Sequence, residues 1–167
     1  MIVGEGREAM GLRRVFDDLV RFETALWNTV DVRLKQECGV PLGNLNAMMI
    51  IAATPGCRVQ DIAAALEITV GGTSQAVDRL EKLGHCVRRP NPADRRSSVI
   101  ELTAAGQEVL ERAGTVFDRE LEKFLRVPLS VAALDSLGAA LATLRAAASG
   151  EPIRALSAGA QRSSDDQ

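Results

Sequence analysis

The chain has 167 residues, 46% apolar and 25% charged, with a formal net charge of -2. That balance fits one soluble globular domain and excludes a chain disordered throughout or a collagen-like fibre. No apolar run approaches the roughly 20 residues of a membrane helix, and residues 1–10 lack the basic start and apolar stretch of a signal peptide, so a cytoplasmic location without a membrane partner is expected. Cys38, Cys57 and Cys86 are an odd number in a chain long enough to bury a core, which argues against a disulfide framework. The aromatics are Phe16, Phe22, Trp27, Phe117 and Phe124, with none over residues 28–116. The middle of the chain therefore offers no platform for stacking single-stranded bases.

Over residues 12–37, Leu12, Val15, Phe16, Leu19, Phe22, Leu26, Val30 and Leu34 step by three or four, which predicts one long amphipathic helix. It should stop near Cys38-Gly39, ahead of Pro41. Leu45, Met48, Met49 and Ala52 predict a second helix, and Ile50 and Ile51 make it apolar nearly all round, hence central. Thr54-Pro55-Gly56 ends it. Two short helices follow, one with Val59, Ile62, Ala63 and Leu66, the next with Val77, Leu80 and Leu83, ending at Gly84. The tight connection over residues 67–72 makes the pair a helix-turn-helix.

Cys86-Val87-Arg88 and Val99-Ile100-Glu101-Leu102 read as two strands around a separator rich in turn formers and arginine, a hairpin with a basic tip. Thr103 is a cap for a helix carrying Val109, Leu110, Ala113, Val116, Phe117, Leu121 and Phe124 up to Val127-Pro128. Ser130 opens a last helix with Leu134, Leu137, Leu141 and Leu144 on one face. The expected organisation is a first helix over 1–41, a helix-turn-helix with hairpin over 42–103, two helices over 104–148 and a solvated tail over 149–167.

Residues 79–98 hold six basic side chains (Arg79, Lys82, Arg88, Arg89, Arg95, Arg96) against Glu81 and Asp94, a net +4 that leaves -6 on the rest. A mildly acidic protein with its positive charge on one helix and one hairpin can present that face to a polyanion. An ordinary solvated face is the alternative.

Three stretches carry a resemblance to the winged-helix regulators of the multiple-antibiotic-resistance regulator (MarR) family. Asp78-Arg79-Leu80-Glu81-Lys82-Leu83-Gly84 resembles the family's D-R-L-x-x-x-G. Asn91-Pro92-Ala93-Asp94-Arg95-Arg96 resembles its wing signature N-P-x-D-x-R, and Leu102-Thr103-Ala104-Ala105-Gly106 its L-T-x-x-G. The resemblance implies a mainly α fold with a small β-hairpin wing, in which a winged helix-turn-helix is flanked by long dimerisation helices. It further implies a homodimer that binds a pseudo-palindromic operator in double-stranded DNA and regulates transcription, read here as a ligand-responsive repressor.

On that reading Gly71, Gly72, Thr73, Ser74 and Gln75 enter the major groove. The glycines let the backbone approach, Gln75 can pair with adenine, and Thr73 can touch a base edge or a thymine methyl. The alternative is a plain helix cap. Arg79 and Lys82 fit phosphates, or else local contacts on their own helix. The resemblance makes Arg96 the minor-groove probe, braced by Asp94, with Arg88, Arg89 and Arg95 as backbone contacts. About eight neutralised phosphates per dimer would give a log-log salt slope near -7. Trp27 and Met48 are candidate walls for a small aromatic effector, or else ordinary packing.

Enzyme readings find little footing. His85 is the lone histidine, the cysteines lack paired metal-binding spacing, and there is no phosphate loop, so no cofactor, metal or catalytic residue is expected. A thiol-based redox-sensing regulator on the same fold is the second reading, with Cys86 beside Arg88 and Arg89. Against it, Cys38 closes the first helix, whereas the family's peroxide-sensing branch places its cysteine near the start. A protein-interaction module without DNA binding is the third.

Overall fold

The computed structural model describes residues 3–91, 94 and 97–149, with side chains from Gly11 onward. The expectations for Arg95, Arg96 and the tail beyond Ser149 lie outside the described residues. The chain divides at Phe124 into two compact units, each taken by itself.

In the first unit, α1 (Val3–Cys38) begins well before the predicted start. It ends where Gly39 takes φ 69, a left-handed conformation that costs glycine nothing, and the N–H of Gly39 bonds the Lys35 carbonyl at 3.1 Å. Asp31 on α1 accepts the Leu42 N–H at 2.8 Å, which pins the start of α2 (Leu42–Ala53) to α1. Pro41 precedes α2 without a side-chain cap, so Asp31 supplies from a distance the acceptor a local cap would have given. Leu42, Leu45, Met48 and Ile51 are buried, and α2 touches α1, α3, α4, α5 and β2, the central place its all-round apolarity predicts.

The helix-turn-helix is α3 (Val59–Leu66) and α4 (Val70–Lys82). The turn is tighter than predicted. Glu67 adopts φ 54 at the end of α3, and Thr69 already caps α4 by accepting the Gly72 N–H at 3.2 Å, so Gly71 and Gly72 lie inside the first turn. Strands β1 (Cys86–Pro90) and β2 (Ser98–Leu102) pair antiparallel, Cys86 opposite Leu102 and Pro90 opposite Ser98. The Ile100 N–H also bonds the Cys57 carbonyl at 2.7 Å, tying the wing to the segment before α3.

Thr103 caps α5 (Ala104–Leu121), accepting the Gly106 N–H at 3.0 Å while its hydroxyl donates to the Gly84 carbonyl at 2.6 Å. A Cβ at residue 106 would lie 1.9 Å from the His85 carbonyl oxygen, so only glycine lets α5 leave the wing here. Arg119 on α5 donates to Glu37 on α1 at 2.6 and 3.1 Å. The 3.6-residue period does not run on to Val127. After Leu121 the chain widens into a π-helical turn over Glu122–Arg126, just ahead of Pro128, whose ring no helix interior accepts. One core joins Leu34, Leu45, Met48, Ile62, Val77, Leu80, Ile100 and Ala113.

The second unit contains α6 (Val131–Ala148), capped by Ser130, which accepts the Ala133 N–H at 3.2 Å. Contrary to the expectation that no such run exists, α6 is long and apolar enough, by length and composition, to cross a membrane. Its alanines account for that, because the leucines keep to one face while Asp135, Thr143 and Arg145 interrupt the others.

Candidate nucleic-acid interface

Helix α4 presents four faces, and the 3.6-residue period assigns each residue to one. Thr73, Val77 and Leu80 are fully buried and anchor it to the core. This corrects the expectation for Thr73. Its hydroxyl donates to the Thr69 carbonyl at 3.0 Å, inside the helix, and no atom of it is offered to a base. On the opposite face Gly71, Gln75, Asp78 and Lys82 form an exposed stripe at steps of four, three and four. Nothing stands within 4 Å of a Cβ built on Gly71, so the stripe begins in open space.

The third face looks to the wing. Arg88 of β1 donates to Asp78 at 2.6 Å, to Glu81 at 2.5 Å and to the Ser74 carbonyl at 3.5 Å, while its own N–H bonds Glu81 at 3.1 Å. Burial works against the Arg88 charge, but the hydrogen bonds to Asp78 and Glu81 outweigh it and hold its pKa above the ordinary arginine value. Arg88 was expected to hold a phosphate; two carboxylates already occupy it, and it fixes the wing to α4 instead. Arg89 pairs with Glu101 across the hairpin at 2.5 Å, with both side chains exposed. Asp94 sits in the wing turn, where its carbonyl accepts the Ser97 N–H at 3.0 Å.

Between α4, the wing and the start of α3 lies a cleft of about 430 Å³ that includes Arg58, Gln60, Ser74, Arg88, Asp94 and Ser98. Arg58 escaped the sequence analysis because it stands apart from the basic run of residues 79–98. Its position directly before α3 was the available signal. Asp61 accepts the Arg58 N–H at 2.8 Å, which lowers the Asp61 pKa.

Gly72, Ala76 and Arg79 make the fourth face, bordering a cavity of about 580 Å³ between α4, α3, α2 and Trp27 of α1. Arg79 and Lys82 are exposed and make no ion pair among the described residues. Trp27 also borders a smaller space of about 180 Å³ with Leu26, Val30, Leu42, Asn46, Phe117 and Leu121. Met48 does not join it in either. It is fully buried in the core, where a flexible thioether fills the centre of the apolar α2.

Two of the three thiols, Cys57 and Cys86, are buried and poorly placed for redox work. Burial pushes Cys86 up to about 11, Glu81 adds to the rise, and Arg88 offsets only part of it. Burial likewise raises Cys57, with Asp61 adding to it. Both stay protonated at neutral pH, so neither supplies the thiolate that peroxide chemistry needs.

The MarR family model matches residues 39–97. The HTH-type transcriptional regulator BilQ of Clostridium symbiosum (strain WAL-14163) is 31% identical over 90 residues, covering 54% of this chain and 62% of its own length. The chain thus spans less than two thirds of that curated relative. Among solved structures, Sco3205, a MarR family transcriptional regulator from Streptomyces coelicolor in complex with DNA, superposes with a TM-score of 0.77 at 26% identity over 81% of this chain and 90% of that one. The transcriptional repressor CouR bound to a 23-mer DNA duplex gives 0.72 at 27% identity over 87% and 98%.

Proposed function

We propose that the chain is a regulator of the MarR family, whose model it matches over residues 39–97, and that it works as a homodimer that binds a pseudo-palindromic operator in double-stranded DNA and releases it on binding a small molecule. The observation that carries this reading is the exposed stripe Gly71, Gln75, Asp78 and Lys82, backed by a fully buried face and flanked by a wing clamped to the same helix. A helix held that rigidly, with its outer face bare, suits insertion into a major groove. Gly71, Gly72, Ser74 and Gln75 approach the bases, Gln75 through its carboxamide. Arg79 and Lys82, which make no ion pair among the described residues, approach phosphates. Asp94, Arg95 and Arg96 place the wing tip at the minor groove, as the resemblance implies.

Dimerisation covers α1, where Leu12, Val15 and Phe16 are 73%, 62% and 69% exposed in a single copy. A lone soluble domain seldom leaves so contiguous an apolar strip in water. The protein works as a repressor in the cytoplasm, and Trp27 is the effector-facing aromatic. Selection of bound sites from random duplex DNA tests the whole reading. The expected product is an inverted repeat with half-sites about 10 base pairs apart; recovery of unselected sequence at every salt concentration overturns it.

A further inference from the structure

With Thr73 turned into the core, one methyl-bearing side chain of α4 still faces water. Val70, the first residue of the helix, is 53% exposed and is the only large apolar residue of α4 left in solvent. It takes no part in the core, and it does not line the cavity of about 580 Å³. A β-branched residue also forms helix less readily than most, so nothing local favours valine at this position. Val70 stands one turn ahead of Ser74 on the side of α4 turned to the wing, and both line the cleft of about 430 Å³ between α4, the wing and the start of α3. Half-buried Val59 is the other apolar residue of that cleft among the described residues. Arg88 fixes the wing on this side, 2.6 Å from Asp78 and 3.5 Å from the Ser74 carbonyl. A duplex that takes α4 in one groove and the wing in the next must lay the strand between them across the cleft. The apolar group that a base edge offers in the major groove is the 5-methyl of thymine.

We propose that Val70 is a specificity-determining residue that selects thymine at one position of each half-site by packing against its 5-methyl group. The inference rests on the DNA reading above and deepens it. A branched side chain has few rotamers to lose on contact. Val70 is carried by a helix whose far side is locked in the core through Val77 and Leu80, so its methyls are held in place before DNA arrives. No polar group has to be stripped of water for the contact to form, in contrast to the carboxamide of Gln75. Cytosine has a hydrogen where thymine has the methyl, and it leaves the valine in water. Burying one methyl against an aliphatic side chain is worth about fourfold in affinity for each half-site.

Deoxyuridine tests this directly, because it pairs with adenine as thymidine does and lacks only the methyl. Each thymine of the selected duplex is replaced in turn, symmetrically in both half-sites, and binding is followed by anisotropy. At one thymine position the wild-type should weaken about fifteenfold across the two half-sites. Val70→Ala keeps the fold, since the residue is exposed and alanine is the better helix former. That variant should bind the thymine and uracil duplexes equally at the same position. Gln75→Ala should retain the uracil penalty there while losing discrimination at its own base pair. A valine that serves only the helix would instead lower binding to both duplexes alike when replaced. That result, a uracil penalty that persists in Val70→Ala, or a wild-type indifferent to every uracil substitution each overturns the inference. Sequence-specific binding with no uracil penalty leaves the DNA reading standing, whereas failure to bind any duplex at low salt overturns both.

Discussion

Thr73 and Gln75 lie two residues apart on α4 and face opposite ways, one buried completely, the other exposed. The sequence offered both as base contacts, since each has a polar side chain near the start of a recognition helix. Only the packing separates them: Thr73 shares the core face with Val77 and Leu80, and its hydroxyl is satisfied by the Thr69 carbonyl. Thr73→Val should therefore leave duplex affinity and base preference in place, while Gln75→Ala should lose about 1–3 kcal/mol of discrimination at one base pair in each half-site. Titrations against the selected duplex and its single-base variants measure both, and a Thr73→Val protein that still folds but no longer discriminates would contradict the burial. Met48, open in the sequence between a pocket wall and ordinary packing, takes the packing alternative for a related reason. A methionine on an apolar helix looks the same whether it faces a cavity or the core, and periodicity cannot say which when the helix is apolar all round.

Elements were legible where a local group decides them. Gly39, Thr103 and Ser130 mark helix ends from the chain itself, and each cap or left-handed glycine stands where its residue type predicts. What stayed hidden depends on partners far along the chain: Asp31 starting α2, Arg88 clamping the wing, and the π-helical turn after Leu121. Glu120, at the end of α5, belongs to that second group. It is 2% exposed and held by Lys123 at 2.8 Å and Arg119 at 3.2 Å. The Lys123 hydrogen bond lowers its pKa, burial opposes that, and Arg119 lowers it further, leaving a folded value below the ordinary 4.5. A depressed carboxylate contributes stability that is complete above the unfolded pKa and is lost as the pH falls through the folded one. Urea midpoints taken from neutrality down through the glutamate range should fall for the wild-type. Glu120→Gln should start lower at neutral pH and show a shallower acid slope. An unchanged slope would place the acid sensitivity elsewhere, for instance at Asp31, whose pKa is lowered first by Lys35.

At the scale of the whole molecule, charge has to be recounted after pairing. The sequence assigns six cations to residues 79–98, but Arg88 is engaged by two carboxylates and Arg89 by Glu101, so of the described cations in that stretch Arg79 and Lys82 remain without an ion pair. Each contact with a phosphate releases counterions and adds about 0.9 to the magnitude of the log-log salt slope. In a homodimer every substitution acts twice. Lys82→Gln should therefore lower the magnitude of the slope by about 1.8 per duplex bound. The affinity should fall by a similar factor on every sequence tested, because a phosphate contact carries no base information. Arg13→Gln, at an exposed position on α1, should leave the slope alone. A loss near 0.9 would mean that one copy of α4 engages the duplex. A loss near zero would mean that Lys82 meets no phosphate and that the exposed stripe faces something other than DNA.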